Sequence, residues 1–417
     1  MPISLNADFN LEISVYIAVS SKLPRILMLH NRYQFPGGED ASMEAEVELL
    51  RQAGHDVVVM EQHNNTIEGM SRWQKIVLAA TTVWNSNNYQ QLCSYLEDAP
   101  ADVLHVQNFF PLWSPSVHAA AKVKGLSTVQ HLRNFRLACL NAYLLRSGQV
   151  CEACLGKNPW RGLVYRCYRN SLPASLTVWS LLTVHRWRQT WLRDVDAFIT
   201  PSQFAATKLL QAGIPGDRLH VKPDFIADPL ANQQIPPLPD TPTFVFIGRL
   251  NEQKGVAILL EAWRQLNQPE WRLDLIGEGD RRAEFQQYVQ HYQLSNVRFH
   301  GQRSTLEIMQ HLQTASMVVV PSQSYETFGR VVIEAFACGR TALVASLGAL
   351  PELVQDGVTG LHSPPNDPHA WAERLRWAGE HASELAAMGI AARQVYLTGY
   401  TPAVNYRQLL KIYQQVL

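Results

Sequence analysis

Short apolar segments recur along the first half of the chain, each followed by a polar loop and then by a stretch with helical spacing. Such alternation predicts a parallel β-sheet covered by helices on both faces. The candidate strands of this half lie at residues 25–30, 56–61, 102–107, 127–132 and 197–202. Ligands of such sheets bind at the carboxyl ends of the strands, so the loops that follow these segments are candidate sites.

The same alternation starts again in the second half, after residues 224–243, which are rich in proline and aspartate and lack periodicity. That composition is typical of a linker between domains. The second set of candidate strands lies at residues 244–250, 272–279, 297–301, 317–320 and 341–346. Because 417 residues exceed what one core usually holds, the pattern predicts an α/β protein with two Rossmann-like domains.

The domain boundaries follow from these segments. The first domain is assigned to residues 25–232 and the second to residues 241–399. Residues 1–24 precede the first strand and lack the basic start of a signal peptide, so we expect either a disordered extension or an over-long start there.

One segment of the second domain, residues 321–339, combines a strand end, a polar loop and a helix predicted from about Thr327 to Cys338. A helix start leaves backbone N–H groups unpaired and carries a partial positive charge, so it can hold a phosphate; Gly329 leaves room for the anion. Glu326 precedes this helix and Glu334 follows eight positions later. Carboxylates often hold the adjacent hydroxyls of a sugar, so the pair suits a nucleotide-sugar, whereas two solvated surface glutamates are the alternative.

Two cations follow the first strand of the second domain, in GRLNEQKG at residues 248–255. Arg249 offers a bidentate fork and Lys254 a compact point charge, which together suit a diphosphate. Solvated loop cations are the alternative. Glycines that could present backbone to the nucleotide lie in three loops, at Gly248, Gly277 and Gly301.

These segments closely resemble the Glu-x7-Glu and GR…KG signatures of the family-4 retaining glycosyltransferases, which have the GT-B fold of two Rossmann-like domains facing across a cleft. The resemblance covers nearly the whole chain after residue 24. It implies that Glu326 approaches the donor sugar and that Glu334 grips the ribose. It also implies that Arg249 and Lys254 hold the leaving diphosphate.

The resemblance extends to residues outside these signatures. The donor phosphates would meet the backbone of Thr327, Phe328 and Gly329. The last helix would cross back, so that residues 400–417 complete the first domain.

In the first domain, family members often carry a glycine-rich loop facing the donor where this chain has Gly37 and Gly38. A family histidine near the anomeric centre falls on Arg133 here, and His131 lies two positions earlier. Alternation along a strand puts both side chains on one face, and we expect one of the two to line the site.

Four cysteines are concentrated in a first-domain insert, residues 139–167, which lacks regular periodicity. Four thiolates can close a tetrahedral structural zinc site, and the ion would order the insert. The alternatives are disulfides, which a reducing compartment disfavours, and unrelated free thiols. No catalytic metal is expected. The candidate ligands are Cys139, Cys151, Cys154 and Cys167.

Composition and charge limit the classes of partner that we expect the protein to bind. Lys plus Arg and Asp plus Glu balance at 36 each, without a basic block, so we expect no nucleic-acid partner. Six cysteines without a secretory signal indicate a cytoplasmic protein. A helix predicted at residues 175–195 carries Trp179, Trp187 and Trp191 together with arginines. It either covers the sheet edge or the acceptor cleft, which we favour, or rests peripherally on the inner face of a membrane.

The sequence therefore predicts a retaining hexosyltransferase that moves a sugar from a UDP- or GDP-sugar to a glycan or lipid-linked acceptor, as in polysaccharide biosynthesis. Charge building on the diphosphate would be stabilised by Arg249, Lys254 and the helix start. Two alternatives stay open, a nucleotide-sugar epimerase and a catalytically silent nucleotide-sugar binding protein. Donor base, sugar, acceptor and oligomeric state do not follow from the sequence.

Overall fold

The computed structural model describes residues 23–34, 37–231 and 233–417, so the predicted amino-terminal extension lies outside the described residues, apart from Leu23 and Pro24. Its strands are β1 (Ile26–Arg32), β2 (Val57–His63), β3 (Val103–Val106), β4 (Ser127–His131), β5 (Leu145–Arg146), β6 (Gln149–Val150), β7 (Ala197–Thr200), β8 (Leu219–Val221), β9 (Thr243–Ile247), β10 (Arg272–Ile276), β11 (Val297–Gly301), β12 (Met317–Val320), β13 (Thr341–Ala345) and β14 (Gly360–Ser363).

The helices within these ranges are α1 (Gly38–Gln52), α2 (Arg72–Val83), α3 (Ser86–Asp98), α4 (Ser116–Val123), α5 (Arg161–Val164), α6 (Leu172–Trp187), α7 (Thr190–Arg193), α8 (Gln203–Gln211), α9 (Val256–Leu266), α10 (Arg282–His291), α11 (Thr305–Gln313), α12 (Arg330–Ala337), α13 (Leu350–Leu353), α14 (Pro368–Glu380), α15 (Ala382–Gly399) and α16 (Pro402–Val416). Among the described residues, no helix combines the length and the apolar character needed to cross a membrane.

The first compact unit comprises the chain up to Leu144, Cys151–Asp224 and Pro402–Leu417. Its parallel sheet has the order β2-β1-β3-β4-β7-β8. Strands β3 and β7 are buried at every residue, as expected where helices cover both faces. The direction in which successive strands are added reverses beside β1, so the carboxyl ends of β1 and β3 mark the crevice where such sheets bind ligands.

The second unit comprises Leu145–Val150 and Phe225–Thr401. Its six-stranded sheet has the order β11-β10-β9-β12-β13-β14 and is parallel throughout. One hydrophobic core unites the sheet with its helices. This is the strand order of a dinucleotide-binding Rossmann domain, in which the order reverses between the first and fourth strands. Here those strands are β9 and β12.

The ten strands expected from apolar segments all form, whereas the edge strands β8 and β14 and the short hairpin β5–β6 were not predicted. Two expected helix boundaries were wrong. The helix expected at residues 175–195 is two helices, α6 and α7, because Gln189 between them has a φ of 56°.

The helix expected from Thr327 begins three residues later, at Arg330. Gly329 before it has a φ of 117°, which L side chains rarely adopt. A Cβ at Gly329 would meet only the ends of flexible side chains, such as Leu350 Cδ2 at 2.8 Å, so the backbone conformation is what requires glycine here. Thr327 and Phe328 therefore belong to the loop that leads into α12, not to its first turn.

Gly255 fixes the distance between the loop after β9 and the loop after β12. Its φ is 72°, and a Cβ built on it would lie 1.8 Å from the carbonyl oxygen of Pro321. Gln323 in the same loop donates its backbone N–H to the Gln253 carbonyl at 2.8 Å. The two loops can approach this closely only because residue 255 has no side chain.

We expect Gly255→Ala to lower the free energy of unfolding by about 2 kcal/mol or more, from the strained φ and the overlap with Pro321 combined. Denaturant unfolding measures the change. The matched control is Gly399→Ala at the end of α15, where a Cβ meets no atom within 4 Å and no positive φ is required. Equal stability of the two variants would contradict the close approach of the loops.

Candidate functional site

The charged residues predicted for the second domain come together where its strand order reverses. Arg249 and Lys254 follow β9, and Glu326 follows β12. Lys254 Nζ lies 2.6 Å from Glu326 Oε1, and Ser322 donates its hydroxyl to the same oxygen at 2.5 Å. Side chains from two neighbouring strand ends thus meet in one charged pair. Both remain partly accessible, with 27% of the Lys254 and 16% of the Glu326 side chain exposed.

Glu326 is held as a carboxylate by its neighbours. Burial by itself raises the pKa of Glu326, but the charge and hydrogen bond of Lys254, the hydroxyl of Ser322 and the charge of Arg249 act against it. The net result is a pKa below the usual value for glutamate. A permanent anion therefore faces two cations at this strand junction.

Glu334 lies on α12, the helix that follows this loop, and is buried. Burial raises its pKa, which Arg330 opposes by donating from Nε to Glu334 Oε1 at 3.0 Å. The alternative of a solvated surface glutamate is therefore wrong for Glu334, which is buried. Arg330 and Glu334 are one helical turn apart, so the helix itself sets this geometry.

Glycine backbones close the neighbouring loops of the same sheet edge. Gly248 donates its N–H to the carbonyl of Ile276 at 3.0 Å, and Gly277 donates to that of Gly301 at 2.8 Å. The loops after β9, β10 and β11 are therefore tied together by main-chain bonds. Phe328 turns its ring into the core, where 4% of it is exposed, leaving its backbone as the part that could meet a ligand.

His131 and Arg133 in the first unit are both buried, at 2% and 8% exposure. Arg133 is held by Asp224, with Nη2 3.0 Å from Oδ1, and it also donates to Gln107. Within the described part of the chain, neither ring nitrogen of His131 has a hydrogen-bond partner. Burial, and then the charges of Arg133 and Lys222, place the pKa of His131 well below its usual value.

Glu46 on α1 is the hub of this buried network, and sequence reasoning did not assign it a role. Its Oε2 accepts from Lys222 Nζ at 2.8 Å, and its Oε1 accepts from Gln107 Nε2 at 2.6 Å. His105 Nδ1 lies 3.5 Å from the same carboxylate. Although burial raises the pKa of Glu46, Lys222, His105 and Arg133 together lower it to about 2.

The signal that could have revealed this network is the Lys-Pro-Asp sequence directly after β8. Lys222 and Asp224 flank one proline there, and both are buried. Lys222 also donates to Asn405 Oδ1 at 3.1 Å, and His105 Nδ1 lies 2.8 Å from the Tyr413 hydroxyl. The carboxyl-terminal helix α16 is thereby bonded into the first unit.

Gly37 and Gly38 lie at the start of α1, Gly37 as its N-cap and Gly38 as its first residue. Gly37 donates its N–H to Asp40 Oδ2 at 3.1 Å, and Asp40 Oδ1 lies 2.8 Å from His30 Nε2. The paired glycines therefore form a helix start, which carries partial positive charge, in addition to the loop expected from the sequence.

Two sets of side chains in the described ranges have potential metal-ligand atoms within 4.8 Å of one another: Glu46, His105 and His131, and Asp274, His300 and His311. Lys222 and Arg133 beside the first set oppose a further cation. In the second set, Asp274 already pairs with His300 at 2.9 Å and with Arg272 at 3.0 Å. Hydrogen bonds and ion pairs account for Glu46 and His105 in the first set and for Asp274 and His300 in the second.

In the described structure, the four cysteines of the insert form no disulfide, and neither do Cys93 and Cys338. Burial raises the pKa of Cys154, and the neighbouring thiols of Cys139 and Cys151 raise it further. The described cysteines do not belong to the sets whose potential ligand atoms all lie within 4.8 Å of one another. A zinc site formed by these residues stays a prediction.

Two family models together match most of the chain. A model described as a glycosyl transferase 4-like domain matches residues 37–224, and one described as glycosyl transferases group 1 matches residues 230–395. An uncharacterized glycosyltransferase of Methanocaldococcus jannaschii is 33% identical over 131 residues, which are 31% of this chain and 36% of that protein. The matched regions of several further relatives span about half of their length.

Two comparisons extend over nearly the whole chain. The putative colanic acid biosynthesis glycosyltransferase WcaL of Salmonella typhimurium is 23% identical over 410 residues, which are 92% of this chain and 98% of that protein. The crystal structure of Anabaena HepE in complex with UDP and glucose covers 94% of this chain and 100% of its own, with a TM-score of 0.67 and 19% identity. The two parallel-sheet units thus have the fold of GT-B glycosyltransferase structures.

We expect Lys222→Met to destabilise the protein by about 3–5 kcal/mol, because it leaves the Glu46 carboxylate buried without its main counter-charge. Adding Glu46→Gln should recover most of that loss. Chemical unfolding of the single and double variants measures both effects.

The control is Lys122→Met, which removes a lysine that is half exposed and lies 3.2 Å from Asp196, and which should change stability by less than about 1 kcal/mol. A double variant no more stable than Lys222→Met alone would contradict the role of Glu46 as the hub.

Proposed function

We propose, because the chain belongs to the family-4 glycosyltransferases with the GT-B fold, that it transfers a sugar from a nucleoside-diphosphate donor to a glycan or lipid-linked acceptor and retains the anomeric configuration. The observation that carries the proposal is the Lys254–Glu326 pair at the junction of β9 and β12, 2.6 Å apart and partly accessible. Arg249 lies close enough for its charge to lower the pKa of Glu326.

This pair can serve both parts of a nucleotide-sugar. As the glycosidic bond breaks, negative charge builds on the departing diphosphate, and fixed cations stabilise that charge more than the ground state. Arg249 and Lys254 would supply those cations. Glu326, ionised at neutral pH, would accept hydrogen bonds from the sugar hydroxyls while it holds the Lys254 ammonium in place. Front-face transfer follows from the family, and no covalent nucleophile is assigned.

The nucleotide would lie along the glycine-closed edge of the second unit. Its phosphates would meet the backbone of Thr327, Phe328 and Gly329, with the positive end of α12 directly behind. Glu334, oriented by Arg330 at 3.0 Å, would accept the two ribose hydroxyls. Gly248, Gly277 and Gly301 would leave room for phosphate and base.

The first unit would contribute one side chain to the transferred sugar. Between the two candidates we assign this contact to His131, because its ring nitrogens carry no hydrogen bond. Its depressed pKa keeps the imidazole neutral at physiological pH, able to donate or accept. Arg133, held by Asp224 and Gln107, is assigned a positioning role. Gly37 and Gly38 would face the donor at the start of α1.

A UDP-sugar is the first donor to test, because the HepE structure contains UDP and glucose. A polysaccharide intermediate is the corresponding acceptor class, because a relative over nearly the whole chain is named for colanic acid biosynthesis. GDP-sugars form the second donor panel. No catalytic metal enters the proposal. Arg249 and Lys254 would take the place that a divalent ion has in other transferases.

We expect Glu334→Gln to weaken nucleoside-diphosphate binding roughly tenfold while the protein stays folded, and Arg249→Met to lower turnover about a hundred- to a thousand-fold. The first effect follows from lost acceptors for ribose, the second from a lost cation at the leaving group. Thermal shift against a UDP- and GDP-sugar panel measures binding, since ligands raise apparent stability by mass action. Release of nucleoside diphosphate measures turnover.

Controls for these two substitutions are Glu373→Gln and Arg374→Met, on exposed positions of α14 in the same unit. Unchanged kinetics in both site variants would contradict the donor site. Conversion of the donor sugar to its epimer without acceptor would replace transfer by epimerisation, and nucleotide binding without turnover would indicate a silent binding protein.

For the insert we propose a structural zinc ion bound by Cys139, Cys151, Cys154 and Cys167. Elemental analysis of purified protein is expected to give about one equivalent of zinc, and Cys154→Ser should lose it, because a structural site needs all four ligands. The control is Cys93→Ser, a thiol outside the insert. Less than one equivalent after a clean preparation would argue for unrelated free thiols.

A further inference from the structure

Large apolar side chains face solvent on one part of the first unit, formed by residues 69–96 and 153–193. We call it the apolar-basic face. These side chains are between 44% and 82% exposed, and they outnumber the exposed large apolar side chains on the other helices of the unit, such as Val123 and Leu210. They are Trp73, Ile76, Val77, Trp160, Val164, Tyr165, Leu172, Leu176, Trp187 and Leu192.

Helix α2 carries its apolar stripe on the outside. Trp73, Ile76 and Val77 have the i, i+3, i+4 spacing that normally faces a core, yet they are 71%, 61% and 44% exposed. The buried residue of this helix is Thr82. An apolar stripe at helical spacing that none of the described residues covers marks an interaction surface.

The elements of the face are packed into one body. The carboxyl ends of α2 and α6 meet, where His185 Nε2 lies 2.7 Å from the Val83 carbonyl and Arg188 lies over the Trp84 ring. Trp179 donates from Nε1 to Asn158 Oδ1 at 3.0 Å, which ties α6 to the loop before α5. The exposed tryptophans are therefore presented by a fixed scaffold.

The two segments that form the face carry cations alone, although acidic residues flank them at Glu68, Glu97, Glu152 and Asp194. Residues 69–96 and 153–193 contain no aspartate and no glutamate, in a chain whose acidic and basic residues balance at 36 each. The exposed cations interleave with the apolar side chains. They are Arg72, Lys75, Lys157, Arg161, Arg166, Arg169, Arg186, Arg188 and Arg193.

We propose that the apolar-basic face rests on the surface of an anionic lipid bilayer. Tryptophan prefers the headgroup level of a membrane, where its ring is apolar and its N–H is hydrated, and Trp73 and Trp187 are placed to insert there. The surrounding arginines and lysines match the lipid phosphates. A second copy of the chain fits poorly, because a two-fold dimer would bring this positive surface against itself.

The structure also separates the two interpretations that the sequence left open for this helix. In α6, Val178, Leu181 and Leu182 are buried and cover the core of the unit, while Trp187 at its end is 82% exposed. One face of α6 therefore packs on the core of the unit, and its carboxyl end would contact the membrane. This inference does not depend on the donor site, which lies in the other unit.

The test uses the full chain and flotation with vesicles. We expect binding to vesicles of phosphatidylcholine with about 30% phosphatidylglycerol, little binding to phosphatidylcholine alone, and loss of binding at high salt. Trp73→Ser and Trp187→Ser should each lower the bound fraction several-fold. Lys75→Glu should lower it on the anionic vesicles. The matched controls, Ile390→Ser and Lys411→Glu, alter exposed positions outside the face and should bind as the unaltered protein does.

Absence of binding to the anionic vesicles, or binding that both tryptophan variants and Lys75→Glu leave unchanged, would overturn the proposal. So would a concentration-dependent dimer in light scattering that Trp187→Ser abolishes without any vesicle binding, since a second copy would then cover the face. The donor-induced thermal shift should be the same in the tryptophan variants, which separates failure here from failure of the donor site.

Discussion

The pair formed by Lys254 and Glu326 joins two loops at the point where the strand order of the second unit reverses. A carboxylate withdrawn from water needs a cation, and this one receives it from the loop of the neighbouring strand. The contact requires the two loops to approach closely, and Gly255 is the residue that permits this. Sheet order, a left-handed glycine and one ion pair thus depend on each other.

The first unit also has a reversal of strand order, but its polar groups are paired differently. Polar groups again collect beside β1, where the strand order reverses, and apart from His131 they bond to one another. Glu46 is satisfied by Lys222 and Gln107, and Arg133 by Asp224. A network with every carboxylate oxygen bonded stabilises one arrangement, whereas an accessible pair such as Lys254–Glu326 can exchange partners for a ligand. That difference is why we assign the contacts with the donor diphosphate to the second unit.

Most of the fold could be predicted because a strand buried on both faces is apolar throughout, as Met317–Val320 is. The edge strands β8 and β14 were not predicted because they are not apolar throughout. Strand β8 contains a histidine, and β14 contains glycine, histidine and serine. Each pairs with a neighbouring strand on one side alone. Helix limits failed at Gly329 and Gln189, where the deciding quantity is a backbone angle that spacing does not encode.

Of the candidate site, sequence patterns predict Arg249, Lys254 and Glu326 in short segments after strands, and Glu334 on the helix that follows. The Glu46 network could not be predicted in that way. Its members come from α1, β3, the loop after β8 and α16, separated by as many as 308 residues between His105 and Tyr413. Lys222 and Asp224 are the local trace of this network, and only the folded chain shows which groups they contact.

The apolar-basic face illustrates a limit of periodicity itself. The stripe on α2 has the spacing of a core-facing helix, and no count of apolar positions distinguishes a helix that faces a core from one that faces a bilayer. The distinguishing feature is charge: a helix that faces a core usually carries both signs on its solvent side, whereas residues 69–96 and 153–193 carry cations alone. In a chain of zero formal net charge, that segregation has to be compensated elsewhere on the protein, and it gives the first unit an electrostatic direction that composition averages away.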